Sequence, residues 1–543
     1  MDDVGDPRWV EITEEFTRRL VAISSVSPGP GEIEAARQAL AILREGGLEH
    51  DYAESGLQAL IGDPHGRSIA YGLVRGSSPR TFVILGHLDT VGTADYRTLE
   101  PSALSPDDLE ARFEELCSLA PEIIGFYPRD WMYGRGAADM KSGVAAMLAV
   151  TRHLARRNRA TACPFSVVCI ATVDEENESA GVIQAVRLLT ELRERHGLEF
   201  VGAINTDYVS ERFAGDTARP VYAGTVGKLL PSFLAVGAPG HAGSPFDGLD
   251  ANLILAELVR DISLNPDLAD IAEGLAAGPP VSLRAGDLKE RYDTQLALSA
   301  QLAVNLVTVS ATPGLVLEQF RQAATLSLQR VEGRALAAEA AWRKRAGLGT
   351  KSPRVTRGSV HTFAEVARKV EATQGHDALE SALAEARAGF TESMDSRRRC
   401  LALVEATWRM SGLAGPAVVV YFAPPYYPHL APRPSPLLDA LRAVVAAHPE
   451  LDLVYEPYFP LLSDLSYLGH QDGAGIEDLV ANMPIWPSGY SLPLDGTRAL
   501  DMPVVNIGPY GFGVHQAGER VHRAYSFGVV PGLILETMER AVS

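Results

Sequence analysis

Cysteine is scarce in this sequence of 543 residues. The chain has four cysteines, and no two of them have the C-x-x-C spacing of metal-binding or redox motifs. Disulfide-held secreted domains and thiolate zinc sites both need cysteines in closer and more regular spacing. We therefore exclude a disulfide framework and a thiolate metal site.

Long apolar runs are missing as well. The longest are strand-sized, whereas a membrane-spanning helix needs roughly 20 apolar residues. The N-terminus reads M-D-D-V-G-D-P-R and lacks the apolar segment of a signal peptide. The sequence thus predicts no membrane span, and the cytoplasm is the expected location.

Positive charge is in deficit. The chain has 49 Lys and Arg against 68 Asp and Glu, a formal net charge of −19. Such a negative field repels phosphate backbones. We do not expect nucleic acid to be a partner.

Several familiar catalytic motifs are also absent. The sequence has no G-x-S-x-G and no H-E-x-x-H, and G-T-V-G-K-L (224–229) lacks the first glycine and the Ser/Thr of a phosphate loop. No cysteine has the local setting of a nucleophile. A serine hydrolase, a zincin and a P-loop enzyme are therefore not expected.

Apolar strands alternate with helices in the first part of the chain. Buried strands are predicted at 81–85, 166–173, 200–206 and 503–507, and helices at 11–23, 32–45, 141–156 and 180–195. This alternation is typical of an α/β domain with a mostly parallel central sheet.

The middle of the chain has a different pattern. A Gly-rich turn (236–244) leads into a helix near 249–262, the stretch 311–410 is predicted to be mainly helical, and a strand at 417–422 is predicted to stop at P-P-Y-Y-P. We predict a first part of the catalytic domain at 1–215, an inserted α+β domain at 216–415, and a second part of the catalytic domain at 416–543.

Side chains of the kind that bind metals follow the apolar strands. Ligands in open α/β sheets bind beyond the carboxyl ends of the strands, so these residues are expected to converge. Asp139 opens a helix, where a carboxylate is favoured. The residues after the strands are His87, Asp89, Glu175, Glu176, Asp207 and His515.

Each residue has an ordinary alternative when it is taken alone. A histidine after a strand is more often structural, and an aspartate there commonly caps a turn. As a set, imidazoles and carboxylates without thiolate are typical of catalytic zinc or a related divalent ion. Two metals could activate a water and polarise a carbonyl, while a further carboxylate moves the proton.

Three ordered motifs resemble those of the dizinc aminoacylase/carboxypeptidase family, peptidase family twenty of the metallo class. They are G-H-L-D-T-V (86–91), G-R-G-A-A-D-M-K-S-G (134–143) and D-E-E-N-E-S-A-G (174–181), with H-Q-A-G-E-R-V (515–521) as a looser fourth. The resemblance implies a phosphorylase/hydrolase-like catalytic domain and two Zn²⁺, with Co²⁺ or Mn²⁺ as alternatives.

The resemblance also implies a role for each site residue. Asp139 would bridge the two metals, Asp89 would orient a ligand, and Glu175 would be the general base. The remaining metal ligands would be His87, Glu176, Asp207 and His515.

The inserted block resembles the lid or dimerisation domain of the same family. G-H-A-G-S-P-F-D-G-L-D-A-N (240–252) carries His241, which would polarise the substrate carbonyl, in its own subunit or across a homodimer. The ordinary arginine motif of this lid is not found. The length and the motifs F-A-P-P-Y-Y-P (422–428), S-D-L-S-Y-L-G (463–469) and N-I-G-P-Y-G (506–511) resemble the RocB-like, arginine-utilisation branch.

The expected function is hydrolysis of an amide, peptide or N-acyl, in a small amino-acid-derived substrate. Two alternatives stay open, a binding protein that kept the fold without activity and a biosynthetic amidase for a dedicated metabolite. The presence of both Glu175 and Asp139 favours an enzyme. The acyl and amine parts of the substrate are not defined by the sequence.

Overall fold

A computed structural model describes residues 4–272, 275–349, 357–391, 393–469 and 475–543. Residues 1–3 of the N-terminal segment, which is predicted not to be a signal peptide, therefore lie outside the described residues. The predicted helical stretch 311–410 includes 350–356 and 392, which also lie outside them.

The strands and helices are numbered in chain order. The strands are β1 (Glu54–Ala59), β2 (Ser68–Val74), β3 (Arg80–His87), β4 (Trp131–Tyr133), β5 (Ser166–Thr172), β6 (Glu199–Asn205), β7 (Arg219–Ala223), β8 (Gly227–Val236), β9 (Ile271–Ala272), β10 (Leu275–Ala276), β11 (Val281–Asp287), β12 (Ser299–Thr308), β13 (Ser359–Thr362), β14 (Ala417–Tyr427), β15 (Leu453–Glu456), β16 (Val504–Asn506), β17 (Gly511–Phe512) and β18 (Arg520–His522). The helices are α1 (Pro7–Val21), α2 (Gly31–Arg44), α3 (Pro106–Ala111), α4 (Phe113–Leu119), α5 (Ser142–Ala160), α6 (Ala180–His196), α7 (Ala251–Ile262), α8 (Pro313–Arg345), α9 (Phe363–Gln374), α10 (His376–Ala388), α11 (Ser396–Met410), α12 (Pro436–Ala447), α13 (Ile476–Ala481), α14 (Leu494–Leu500) and α15 (Val530–Val542).

The chain forms two compact units. Unit 1 consists of Met1–Val226, Leu430–His470 and Pro493–Ser543, and unit 2 of Gly227–His429 and Gln471–Leu492. In sequence, unit 2 is thus a long insertion into unit 1 together with a second, short insertion further along the chain.

Unit 1 is built on a mixed sheet with a parallel centre. In the described ranges its strand order is β1-β2-β5-β3-β6-β16-β7-β15, and β5, β3, β6 and β16 are mutually parallel neighbours. Strands β3 and β5 are buried along almost their whole length, as expected for parallel strands covered on both faces. Helices α1 and α15 pack against α5 and bury the apolar core of this unit.

Unit 2 contains a mainly antiparallel sheet with helices packed on it. Its strand order is β11-β12-β8-β14-β13, and only the β13–β14 pair is parallel. Helices α7 and α8 pack against each other and against strands of this sheet, and α9, α10 and α11 pack together. The predicted fold class, an α/β catalytic domain with an inserted α+β domain, is confirmed.

The structure differs from the sequence prediction at the end of β14. The P-P-Y-Y-P segment was expected to stop the strand after 422, but β14 continues to Tyr427. After a register irregularity between Ala423 and Tyr427, the strand pairs again with Lys228 of β8. Because proline lacks only the N–H donor, an irregular pairing tolerates Pro424 and Pro425. This pairing places β14 in unit 2, whereas the predicted insertion ended at 415.

In the part of the chain that the structure describes, no helix is both long enough and apolar enough to cross a membrane. The cytoplasmic location stays a prediction.

Candidate metal centre

His87 is the last residue of β3 and lies buried at the carboxyl end of the sheet. Its Nε2 is 3.0 Å from Asp139 Oδ1 and 4.0 Å from Glu175 Oε2. Its Nδ1 is 3.1 Å from the main-chain oxygen of Asp89 and 3.7 Å from Asp89 Oδ1. The main chain of Asp89 is therefore the nearer partner that orients this ring.

Asp139 lies in the turn before α5, and a buried glutamate holds its main chain. Glu519 Oε1 accepts hydrogen bonds from the backbone N–H groups of Ala138 (3.1 Å) and Asp139 (3.2 Å). Arg135 donates to Glu519 Oε2 at 2.8 Å and to Asp95 at 2.7 Å. A side chain at Gly143 would meet the Thr206 carbonyl at 1.9 Å, so glycine is required where α5 approaches the end of β6.

Glu175 and Glu176 lie in the loop between β5 and α6. Asp174, at φ 70°, begins this loop and accepts a hydrogen bond from Ala180 N at 3.1 Å. Glu32 Oε1 accepts a hydrogen bond from Asp174 N at 2.8 Å, and Arg67 bridges Glu32 and Asp174. Glu176 N donates to Asp89 Oδ2 at 3.0 Å. Buried polar contacts therefore hold both ends of the loop.

Asp207 follows β6 by two residues and is buried. Its Oδ1 accepts a hydrogen bond from Tyr208 N at 2.8 Å. Asn506 of β16 bonds to both the main-chain N and the main-chain O of Asp207.

His515 lies in the loop between β17 and β18, with φ 61° and a side chain that is 47% exposed. Its Nε2 is 2.9 Å from Glu176 Oε1 and 3.3 Å from Asp139 Oδ2. His515 and His87 thus approach different oxygens of the same Asp139 carboxylate.

The five residues predicted as ligands fall into two overlapping groups. Donor atoms within 4.8 Å of one another come from His87, Asp139 and Asp207 in one group, and from Asp139, Glu176 and His515 in the other. Both groups contain Asp139, and each adds one histidine and one further carboxylate. The structure therefore brings the predicted ligand set together.

Burial and crowding make this site unfavourable for negative charge. Burial raises the pKa of Glu175 well above its usual range, and Asp464 and Glu176 add to the rise although His87 opposes it. Burial likewise raises the pKa of Asp207, with a further contribution from Asp139. Like charges in a buried site favour a cation among them.

The pKa values of Asp139 and His515 shift in the directions expected of an ion pair. Burial opposes ionisation of Asp139, but hydrogen bonds from His515 and His87 outweigh it and hold its pKa well below the usual range. Hydrogen bonds to Asp139 and Glu176 raise the pKa of His515 to about 10.

The donor set fits two divalent cations. Imidazole nitrogen and carboxylate oxygen suit zinc and related ions, and a carboxylate with a histidine near each oxygen can face two cations at once. The ligands come from the carboxyl ends of strands and from loops held by buried groups, which is the arrangement expected of a built metal site.

His241 lies in unit 2 and is exposed. Its Nδ1 accepts a hydrogen bond from Gly243 N at 2.9 Å, and its Nε2 is 3.3 Å from Thr294 Oγ1. The ring is therefore oriented by its own turn and by the segment that precedes β12.

Two buried carboxyl groups at the site were not singled out from the sequence. Asp464 accepts a hydrogen bond from Thr172 Oγ1 at 2.6 Å, and burial raises its pKa to about 6. Burial raises the pKa of Glu519 to about 7. Asp464 lies in the motif S-D-L-S-Y-L-G and Glu519 in H-Q-A-G-E-R-V, so an acidic residue within these motifs is the available signal in the sequence.

Known proteins resemble this chain over most of its length. A family model described as Peptidase family M20/M25/M40 matches residues 83–479. The chain is 30% identical to YqjN of Bacillus subtilis (strain 168), over 96% of this chain and 94% of that protein. It is 29% identical to Protein RocB of the same organism, over 97% and 94%.

A solved structure shares the fold. The M20 family metallo-carboxypeptidase Sso-CP2 from Sulfolobus solfataricus superposes with a TM-score of 0.51 at 10% identity, covering 98% of this chain and 99% of that one. With the family match, these findings assign the chain's fold and chemistry. The chain belongs to peptidase family M20/M25/M40, in the branch that contains RocB, and is a metal-dependent amidohydrolase.

Proposed function

We propose that this protein is a dinuclear zinc hydrolase that cleaves an amide bond, peptide or N-acyl, in a small amino-acid-derived substrate. The single observation that carries the proposal is the shared carboxylate. Asp139 belongs to both groups of candidate ligands, with His87 and Asp207 on one side and Glu176 and His515 on the other. One carboxylate between two such groups is the arrangement that a two-metal site requires.

When bound, two zinc ions would lower the pKa of a water molecule and polarise the amide carbonyl. Glu175 would take the proton of this water and deliver it to the departing amine. The position of Glu175 supports this role, because its Oε2 is 4.0 Å from His87 Nε2 and its side chain is mostly buried. Burial raises the pKa of Glu175, which makes its carboxylate a stronger base for the proton of the water.

Unit 2 would act as the lid and dimerisation domain that was predicted at 216–415. His241 would donate a hydrogen bond to the substrate carbonyl as negative charge develops on its oxygen. Its ring fits a donor role, because Nδ1 accepts from Gly243 N and the proton of a neutral ring then lies on Nε2, where the substrate carbonyl would replace Thr294 Oγ1 as the acceptor.

A homodimer would form through unit 2. Strand β11 is an edge strand of the unit 2 sheet, and its side chains Val281 and Leu283 are 44% and 59% exposed. An exposed apolar edge strand is a surface on which a second chain can pair.

The substrate class follows from the branch. The motifs that resemble the arginine-utilisation branch favour acyl-arginine, acyl-ornithine or dipeptide substrates. A panel of these compounds, tested with zinc-loaded protein, would identify the acyl and amine parts and indicate whether the enzyme is catabolic or biosynthetic.

The proposal is tested by replacing the proposed base. We expect Glu175→Gln to lower turnover of the best substrate by about 10²–10⁴-fold, the usual contribution of a general acid or base. Zinc content, measured by mass spectrometry of the metal, should stay at two ions per chain. Glu178→Gln, in the same loop and outside both ligand groups, is the matched control and should keep full activity. Equal activity of Glu175→Gln and the wild type would refute the role of Glu175.

A further inference from the structure

The main chain of Asp207 is held by a side chain from another strand. Asn506 Oδ1 accepts a hydrogen bond from Asp207 N at 3.1 Å, and Asn506 Nδ2 donates one to Asp207 O at 2.9 Å. The Asn506 side chain is fully buried. One amide group therefore satisfies both main-chain polar atoms of a candidate ligand.

These two hydrogen bonds take the place of backbone pairing just beyond the end of the strand ladder. Strand β16 pairs with β6 as far as Asn506 and Asn205, so the ladder between them stops two residues before Asp207. On the other side, Thr206 N still donates to Leu85 O of β3 at 3.1 Å. On the β16 side the Asn506 amide continues the pairing in place of the backbone.

The backbone after Asn506 also lies against Asp207. A Cβ atom built on Gly508 would be 1.7 Å from Asp207 O, so only glycine allows this approach. The Asp207 Oδ1 atom is in turn held by Tyr208 N. The position of Asp207 and the orientation of its carboxylate are thus set largely by the segment 506–508 and its own next residue.

The other ligand group has its supports elsewhere in the chain. Glu176 N donates to Asp89, and the Asp174 turn that precedes it is held by Glu32 and Arg67. These contacts involve the start of α2 and the loop before β2, and they do not pass through Asn506.

We propose that Asn506 is a positioning residue for Asp207, and that the cation held by His87, Asp139 and Asp207 depends on it. The cation held by Asp139, Glu176 and His515 does not depend on Asn506, so the two positions can be weakened separately. This inference rests on the proposed two-metal function.

The test isolates each cation position before Asn506 is changed. His515→Ala removes a ligand of the second group and leaves the first intact, and His87→Ala does the reverse. Asn506→Leu is then added to each, and Zn²⁺ affinity is measured by competition with a chelator. We expect a loss of about 10–100-fold in the His515→Ala background, the usual effect of changing a group that holds a ligand. In the His87→Ala background we expect a change of less than about twofold, because that cation does not use Asp207.

Asn482→Leu is the matched control. Asn482 of unit 2 is also buried, and its side chain likewise accepts from a backbone N–H, that of Ala364, and donates to a backbone oxygen, that of Asp478. We expect no change of zinc affinity in either background. If Asn506→Leu does not fold, as judged by the circular dichroism of the metal-free protein, Asn506→Ser tests the same contacts with a smaller, polar side chain.

Two results would overturn the inference. Equal weakening in both backgrounds would mean that Asn506 acts on the whole unit and not on Asp207, and no weakening in either would mean that Asp207 is held without it. Failure of the proposed function would be recognised separately, because the wild type would then not bind two zinc ions per chain.

Discussion

Asp139 has a histidine near each of its carboxylate oxygens, and its backbone is fixed by Glu519. To bridge two cations, the Asp139 carboxylate must have both oxygens free of hydrogen-bond donors from the protein other than the ligands. The backbone of Asp139 must also be fixed. Glu519, which lies 380 residues further along the chain, fixes this backbone by a hydrogen bond. The carboxylate is therefore oriented before any cation binds, which lowers the reorganisation that binding requires.

The role of His241 is the prediction at the scale of the residue. We expect His241→Ala to lower turnover by about 10²–10³-fold, the usual cost of removing one donor to a developing oxyanion. Zinc content should not change, because His241 is in neither ligand group. Steady-state kinetics and metal analysis of the same samples measure both effects.

His361→Ala provides the control for this prediction. His361 is another unit 2 histidine that contacts a hydroxyl, that of Ser359 at 2.8 Å. Its loss should leave turnover unchanged. A loss of zinc in His241→Ala would mean that His241 is a ligand and not a donor to the substrate.

Helices and strands of unit 1 position the site mainly through their ends. Strands β3, β5 and β6 end at or near candidate ligands, and α5 begins three residues after Asp139. Buried ion pairs hold polar groups near these ends, and Arg67 alone pairs with Glu32, Asp63 and Asp174. Removing one partner of such a pair leaves a buried charge uncompensated and is strongly destabilising.

A contact between the end of α12 and the middle of α15 should make the stability of unit 1 depend on pH. His448 follows α12, and its Nε2 is 2.7 Å from Glu536 of α15. Partial burial opposes the charged ring, but hydrogen bonds to Glu536 and Glu450 outweigh it and raise the pKa of His448 above 6.5. Because the pKa is higher in the folded state, the stabilisation is fully present below the unfolded value of about 6.5 and is lost as pH rises through the folded value.

We therefore expect His448→Gln to lower the free energy of unfolding by about 0.5–1 kcal/mol at pH 5.5, as for other partly exposed ion pairs. At pH 9 the difference from the wild type should be close to zero. Urea unfolding at both pH values measures it. His376→Gln is the control, because His376 pairs with Glu371 in an exposed position where solvent screens the interaction. A difference that grows toward pH 9 would contradict the assigned sign.

The whole chain combines a metal-bearing unit with an inserted unit that has its own sheet. All five candidate ligands and Glu175 belong to unit 1, whereas His241 belongs to unit 2. The formal net charge of −19 keeps such chains apart in solution unless a specific surface brings them together.

Dimerisation is the prediction at the scale of the whole molecule. We expect the wild type to be a dimer at micromolar concentration and Leu283→Lys to shift it toward the monomer, because a charge on an edge strand opposes pairing. Light scattering after gel filtration measures the mass. Leu264→Lys changes a leucine of unit 2 that is 70% exposed and lies outside β11, and it should leave the dimer intact. A monomeric wild type would refute the dimer.

The sequence alone was sufficient for the fold class, and it brought out the candidate ligand residues that the structure places close together. Buried strands reveal themselves by local apolar runs, and β3, β5, β6 and β16 lie within a residue or two of the predicted ranges. The candidate ligands directly follow such strands or lie in short motifs, so their clustering could be inferred from the geometry of a parallel sheet.

Only the tertiary structure revealed the groups that hold these ligands. Glu519 contacts Asp139 and Asn506 contacts Asp207, and the partners in each pair are hundreds of residues apart. The continuation of β14 past two prolines was likewise decided by its pairing with β8. Local patterns report which face of an element is buried, but a contact between distant segments depends on how the whole chain packs, and a single sequence carries no local signal for it.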